Sequence, residues 1–350
     1  MARWSGSREG QRDEKKSGID IFCPEWENEK KASLMEALDE MFIGMDVGGT
    51  TARVRVVNAE NAVCWEGEDR GGTLAGIGRE ELSERLGCII RCALTESGCT
   101  ADDCERLCIG ASGVDTEEAR LVYEDILVSL GFAREKLMVI NDAELLIRMF
   151  ETPAVVLIAG TGSIALGCSG KDGIIRRCGG WEHLLSDEGS ATWLGMELLR
   201  TYVRVCDGRG QDPVLRQLLE EAAQVHNAQE AVDFCARHIL EKADLAALAP
   251  LTEKGAGLGS ASCLSILEKG ADELTDLVRQ LVPSVSADGD FRLLLWGSVL
   301  LKNRIIQRMV AERVKKVWPA ADVCVPQCTA LDCAVLLAQG KKQMPLREIC

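Results

Sequence analysis

The chemistry in this sequence is concentrated in Gly179-Gly180-Trp181-Glu182-His183-Leu184-Leu185-Ser186-Asp187-Glu188-Gly189-Ser190, which puts glycines, an aromatic plate and two acids into one loop. Glycine admits a ligand close to the backbone, Trp181 offers a stacking face, and Asp187 or Glu188 can accept hydrogen bonds from hydroxyls. That composition suits a polyol site. It suits equally a surface turn that caps a helix over Ala191 to Arg200, and this stretch alone leaves both readings open.

Two further clusters suit phosphate. Asp46-Val47-Gly48-Gly49-Thr50-Thr51 joins an acid at a strand end to two glycines and two hydroxyls. Those are the needs of a nucleotide phosphate: close N–H donors, small residues and a carboxylate for magnesium. Gly160-Thr161-Gly162-Ser163 supplies a facing clamp. Neither has the spacing of a P-loop or of a dinucleotide Gly-x-Gly-x-x-Gly. Asn141-Asp142 falls where a strand over Leu137 to Ile140 meets a helix beginning near Ala143. Asp142 reads either as a helix cap or as a general base that takes the proton of an attacking hydroxyl. Gly297-Ser298 closes a strand over Phe291 to Trp296, where a glycine leaves room for an adenine to lie flat or serves tight packing.

The elements that must position these residues alternate. Apolar runs at Phe42 to Val47 and Ala52 to Val57 flank the first glycine turn and predict a hairpin. Leu82, Leu86, Ile89, Ile90, Ala93 and Leu94 have helical spacing, and short strands follow at Leu107 to Gly110 and Leu137 to Ile140. At Ala154 to Ala159 and Ile164 to Gly167 the opening hairpin returns around the second glycine turn. Two halves with matching hairpins predict an α/β chain built by internal duplication around a cleft. Residues 41–152 form the expected first domain. Residues 153–340 form the second, with a helical insertion at about 190–285 and a final helix returning to the first domain. Residues 1–40, polar and without a sustained period, read as a disordered extension.

The 350 residues carry a net charge of -15, 47% hydrophobic and 27% charged residues. This balance argues against a general nucleic-acid binder or a partner of anionic membranes, so an anionic ligand needs backbone N–H groups and a metal as compensation. With no apolar run of membrane length and no apolar core in residues 1–20, the expected location is the cytoplasm. The sixteen cysteines form no Cys-x-x-Cys and read mainly as reduced, buried small hydrophobes, with a metal or cluster site the lesser alternative.

Asp46-Val47-Gly48-Gly49-Thr50, Asn141-Asp142-Ala143, Gly160-Thr161-Gly162-Ser163, Gly179-Gly180-Trp181, Asp187-Glu188-Gly189-Ser190 and Gly297-Ser298-Val299-Leu300 stand in the order of the BadF/BadG/BcrA/BcrD ATPase family. Within it the chain most resembles the N-acetylglucosamine kinases, over about Phe42 to Gly340. The resemblance implies the duplicated actin-like, ribonuclease H-like fold, with ATP and magnesium in an interdomain cleft. It implies Thr50 and Thr161 on ATP phosphates, Asp46 on the metal, and Asp142 as base on the sugar's 6-hydroxyl. Gly180, Trp181 and Asp187 would bind an amino sugar, and a homodimer is implied. Two departures stand out. The first-domain asparagine that contacts the sugar is absent from Arg70-Gly71-Gly72-Thr73-Leu74-Ala75-Gly76, leaving Thr73 as a substitute, and Glu182 stands where many members have glycine. The resemblance also admits an activator ATPase of the 2-hydroxyacyl-CoA dehydratase type, or a non-catalytic sugar sensor.

Overall fold

A computed structural model describes residues 40–170, 173–240 and 242–349; the expected disordered extension lies, but for residue 40, outside the described residues. Two mixed sheets organise the chain. The first contains β1 (Met41–Val47), β2 (Thr51–Asn58), β3 (Val63–Arg70), β4 (Cys104–Ala111) and β5 (Leu137–Asn141), in the order β3-β2-β1-β4-β5. The second contains β6 (Ala154–Ala159), β7 (Ser163–Cys168), β8 (Ile175–Gly179), β9 (Arg292–Trp296), β10 (Asp322–Pro326) and β11 (Leu346–Glu348), in the order β11-β10-β9-β6-β7-β8.

Each sheet opens with a three-stranded antiparallel meander whose first strand then pairs in parallel with a later strand, β1 with β4 and β6 with β9. The repeat expected from the paired hairpins is therefore present at the level of topology, with β11 as an extra edge strand. Parallel pairing needs crossovers, and helices supply them. In the first half these are α1 (Leu74–Ser97) and α2 (Glu117–Ser129), while the short α3 (Glu144–Ile147) leads into β6.

In the second half the crossover from β8 to β9 is a run of helices: α4 (Ala191–Cys206), α5 (Pro213–Ala223), α6 (Ala228–His238), α7 (Lys242–Ala247), α8 (Pro250–Gly257) and α9 (Ala261–Val285). Then come α10 (Ser298–Lys302), α11 (Arg304–Val317) and α12 (Ala330–Ala338). Among the described residues no helix is long and apolar enough to cross a membrane.

Each sheet has its own apolar core, and a third core lies between them. Phe42 of β1, Cys108 of β4 and Ile140 of β5 meet Val156 of β6, Leu166 of β7 and Leu294 of β9 there, with Leu145 and Leu146 of α3 and Val335 of α12. The helix α12 seats on β1, where Val335 lies against Gly44, and an ion pair from Arg55 of β2 to Asp332 secures its first turn. Buried cysteines such as Cys108, Cys263 and Cys333 serve these cores as expected, whereas Cys88 and Cys92 are exposed on α1.

Candidate functional site

A cleft of about 800 Å³ gathers residues from both sheets. The first half contributes Asp46, Arg53, Thr73, Ser112, Gly113, Asp115 and the Asn141-Asp142-Ala143 strand end. The second contributes Gly160 to Ser163, Arg177, Gly180, Glu182, Asp187 and Lys242. The parallel strands β4 and β5 end side by side with β1, so Asp46 and Asp142 emerge on one rim. This is the edge at which open α/β sheets bind ligands.

Asp142 does not cap a helix. The helix α3 is capped at Ala143 without a side-chain bond, and the Ala143 amide instead donates to Asp142 Oδ1 and Asn141 Oδ1, both at 2.9 Å. Burial pushes the Asp142 carboxyl up to about 6, opposed by that amide and reinforced by the charges of Asp46 and Asp115. Burial also raises Asp46 above the ordinary carboxylate range, opposed by Arg53, whose Nη1 lies 3.7 Å from Asp46 Oδ2.

The second glycine turn and the acidic loop form one unit. Gly160 N donates to Gly162 O, Ala191 N donates to Gly160 O at 2.8 Å, and Thr192 Oγ1 donates to Thr161 O at 2.8 Å. Ser163 Oγ donates to Glu188 O at 2.7 Å, and Ser190 caps α4 by accepting from Trp193 N. So the helix starts where the sequence places it, and its first turn is latched to the second glycine tip. Asp187 is buried against that tip: a Cβ on Gly162 would stand 2.8 Å from its Oδ2, which explains the glycine. Burial raises Asp187, opposed by the Ser163 amide and by Lys242, whose Nζ lies 3.8 Å away. The loop thus combines a helix cap at Ser190 with a carboxylate, Asp187, that lines the cleft.

The remaining expected residues are distributed less evenly. Thr73 reaches the cleft while capping α1 through the Gly76 amide. Gly48, Gly49, Thr50 and Thr51 form the β1–β2 tip beside Asp46 but do not line the cleft, and Gly49 and Thr50 are exposed. Gly297 and Ser298 are also outside the lining. Gly297 adopts φ +91°, and a Cβ there would stand 2.4 Å from the Ala159 carbonyl oxygen, so close backbone packing accounts for this glycine. Trp181 is 62% exposed and gives its face to the Arg177 guanidinium, 4.3 Å from the ring centroid, rather than to the cleft.

Sequence reasoning missed the cleft's cations. Arg53 follows the first tip and Arg177 lies two residues before Gly179, so proximity to each motif was the available signal. Lys242 arrives from the remote helical run, and nothing local announces it; its Nζ pairs with Glu182. Glu182 holds φ +72°, a left-handed conformation that glycine adopts without strain.

Two relatives are informative. An N-acetylmuramic acid/N-acetylglucosamine kinase of Clostridium acetobutylicum is 27% identical over 263 residues, covering 75% of this chain and 85% of that protein. An N-acetyl-D-glucosamine kinase of Dictyostelium discoideum is 27% identical over 325 residues, covering 87% and 99%. A Chromobacterium violaceum structure, provisionally named N-acetylglucosamine kinase, superposes with a TM-score of 0.67 at 21% identity over 86% of this chain and 99% of that one. The Thermus thermophilus ROK hexokinase gives 0.51 at 14% identity, over 85% and 97%. At these identities the two structures establish a shared fold, which is the duplicated α/β class expected. The family profile itself aligns with residues 43–338, so this chain belongs to the BadF/BadG/BcrA/BcrD ATPase family.

Proposed function

We propose that this protein is an ATP-dependent kinase of an amino sugar, N-acetyl-D-glucosamine being the acceptor favoured by its relatives, with the 6-phosphate as product. The observation that carries this reading is Asp142, a cleft-facing carboxylate at the end of β5 with its pKa raised to about 6, in one cavity with Gly180 and Asp187. A base poised near neutrality suits proton abstraction from a sugar hydroxyl. Asp187, with Gly180 and Thr73 lining the same cavity, would hold the sugar's other hydroxyls, and Trp181 would flank the acceptor at the rim. The two hairpin tips, Gly48 to Thr51 and Gly160 to Ser163, would take the phosphates, and Gly297-Ser298 the adenosine side.

Magnesium fits the chemistry of Asp46: a hard oxygen donor at a strand end, raised by burial and poorly neutralised by Arg53 at 3.7 Å, gains from a divalent cation. When bound, the ion would neutralise charge on the phosphate oxygens. In the transfer, the Asp142 carboxylate accepts the proton of the 6-hydroxyl as that oxygen attacks the γ-phosphorus. The bond to the β–γ bridging oxygen breaks and ADP leaves. Closure of residues 41–152 on 153–340 would exclude water and so suppress hydrolysis of ATP.

The test is ADP release with magnesium across a panel of amino sugars and hexoses, together with Asp142→Asn. The expected result is turnover with N-acetyl-D-glucosamine that falls on the order of 10²- to 10⁴-fold in the variant. Nucleotide affinity by calorimetry should remain within a few-fold. Near wild-type turnover by Asp142→Asn sinks the assignment of the base, and sugar binding without any turnover in the wild type sinks the kinase reading.

A further inference from the structure

Arg177 reaches across the cleft. It sits on the edge strand β8, and its side chain makes four contacts at once. Nη1 donates to Asp115 Oδ1 at 2.9 Å, Nε donates to Gly179 O at 3.1 Å, Nη2 donates to Gly180 O, and the guanidinium plane lies over Trp181. On the opposite wall Asp115, in the β4–α2 connection, also accepts from Asn141 Nδ2 at 3.2 Å. Asn141 in turn orients the Ala143 amide through its Oδ1 and immediately precedes Asp142. An unbroken chain of polar contacts therefore runs from the Gly179-Gly180-Trp181 loop, through Arg177, Asp115 and Asn141, to the strand end that carries Asp142.

We infer that Arg177 is a positioning residue: through Asp115 and Asn141 it sets the separation between the acceptor-binding loop and the base. This rests on the kinase reading above for its consequence in turnover, though not for the coupling itself. The ion pair alone would be worth little, because Asp115 has a side chain 47% exposed and such pairs contribute under about 1 kcal/mol. The geometry matters more. A planar, rigid fork can hold two carbonyls, a carboxylate and an aromatic face together, and a lysine cannot. Phosphoryl transfer is sensitive to such placement, since a misalignment of about 1 Å costs on the order of 100-fold in rate.

The experiment compares Arg177→Met, Arg177→Lys, Asp115→Asn and the Arg177→Met/Asp115→Asn double variant. Steady-state kinetics would be read beside amide hydrogen exchange of the ligand-free proteins. Arg177→Met is expected to lower kcat about 10- to 100-fold and raise the sugar KM, with the ATP KM within about two-fold of wild type. Arg177→Lys should restore little, and the double variant should lose no more than Arg177→Met alone, because both changes cut the same chain. Amides of residues 179–182 and 141–143 should exchange faster in each single variant.

Kinetics unchanged within two-fold in Arg177→Met overturn the inference, as do losses that multiply in the double variant. Unchanged exchange at 141–143 when Arg177 is replaced overturns it too. Should wild-type protein phosphorylate no sugar, the kinase reading falls by itself, and the exchange result still decides whether Arg177 couples the two walls.

Discussion

Asp142 shows how the surroundings of one residue change its chemistry. Its raised pKa comes first from burial, against which the Ala143 amide works, and then from the like charges of Asp46 and Asp115. The proposed base would act only when ionised, so kcat/KM should fall with unit slope below about pH 6 and level off above it, as a pH–rate profile will show. Stability carries the opposite sign. A carboxyl raised in the folded state contributes stability fully present below its unfolded pKa and lost as pH rises through about 6. Asp142→Asn should therefore unfold like wild type near pH 3.5 and be more stable by about 1–2 kcal/mol at pH 8, after discounting for the partial exposure of the site. Thermal melts of both proteins across that range check it. An inactive variant that is also more stable is the signature of a residue held for function at a cost to the fold.

At the scale of elements, strong apolar periodicity was legible and charged edges were not. The strands β1, β6 and β9 and the helix α1 lie where runs and spacing placed them, because each buries its apolar face. The strand β3 leaves little sequence signal because its residues are mostly exposed and polar; Cys64 and Trp65 pack against the first core, and Arg53–Glu68 and Arg55–Glu66 pairs from β2 add cross-strand contacts. The strand β8 leaves little for a related reason, with Arg176 and Arg177 at its centre. Turns reward closer inspection. Gly297 reads in sequence either as room for an adenine or as tight packing, and its φ of +91°, with a Cβ there only 2.4 Å from Ala159 O, shows that the backbone itself requires a glycine. Gly297→Ala should cost on the order of 2–4 kcal/mol from strain and overlap, seen as a lower denaturation midpoint, whatever ligand is present.

Across the whole molecule, two sheets of like topology share a third core between them, with α3 and α12 packed into it. That apolar seam holds the halves together, and domain closure over the cleft would pivot on it. Sugar and a non-hydrolysable ATP analogue together should lower the radius of gyration in small-angle scattering, and each alone should do so less. Identical curves in all states would argue against closure. The sequence by itself determined the α/β class, the duplicated hairpins, the order of the glycine motifs and the identity of the strand-end acids, because these depend on local periodicity and turn chemistry. Only the tertiary structure decided that Asp187 lies against Gly162, that Trp181 faces Arg177 rather than the cleft, and that Arg53, Asp115, Arg177 and Lys242 charge its walls. Those contacts join residues from separate strands, loops and helices. Long-range approach of that kind is set by how sheets and helices pack, and it leaves no periodic trace along the chain.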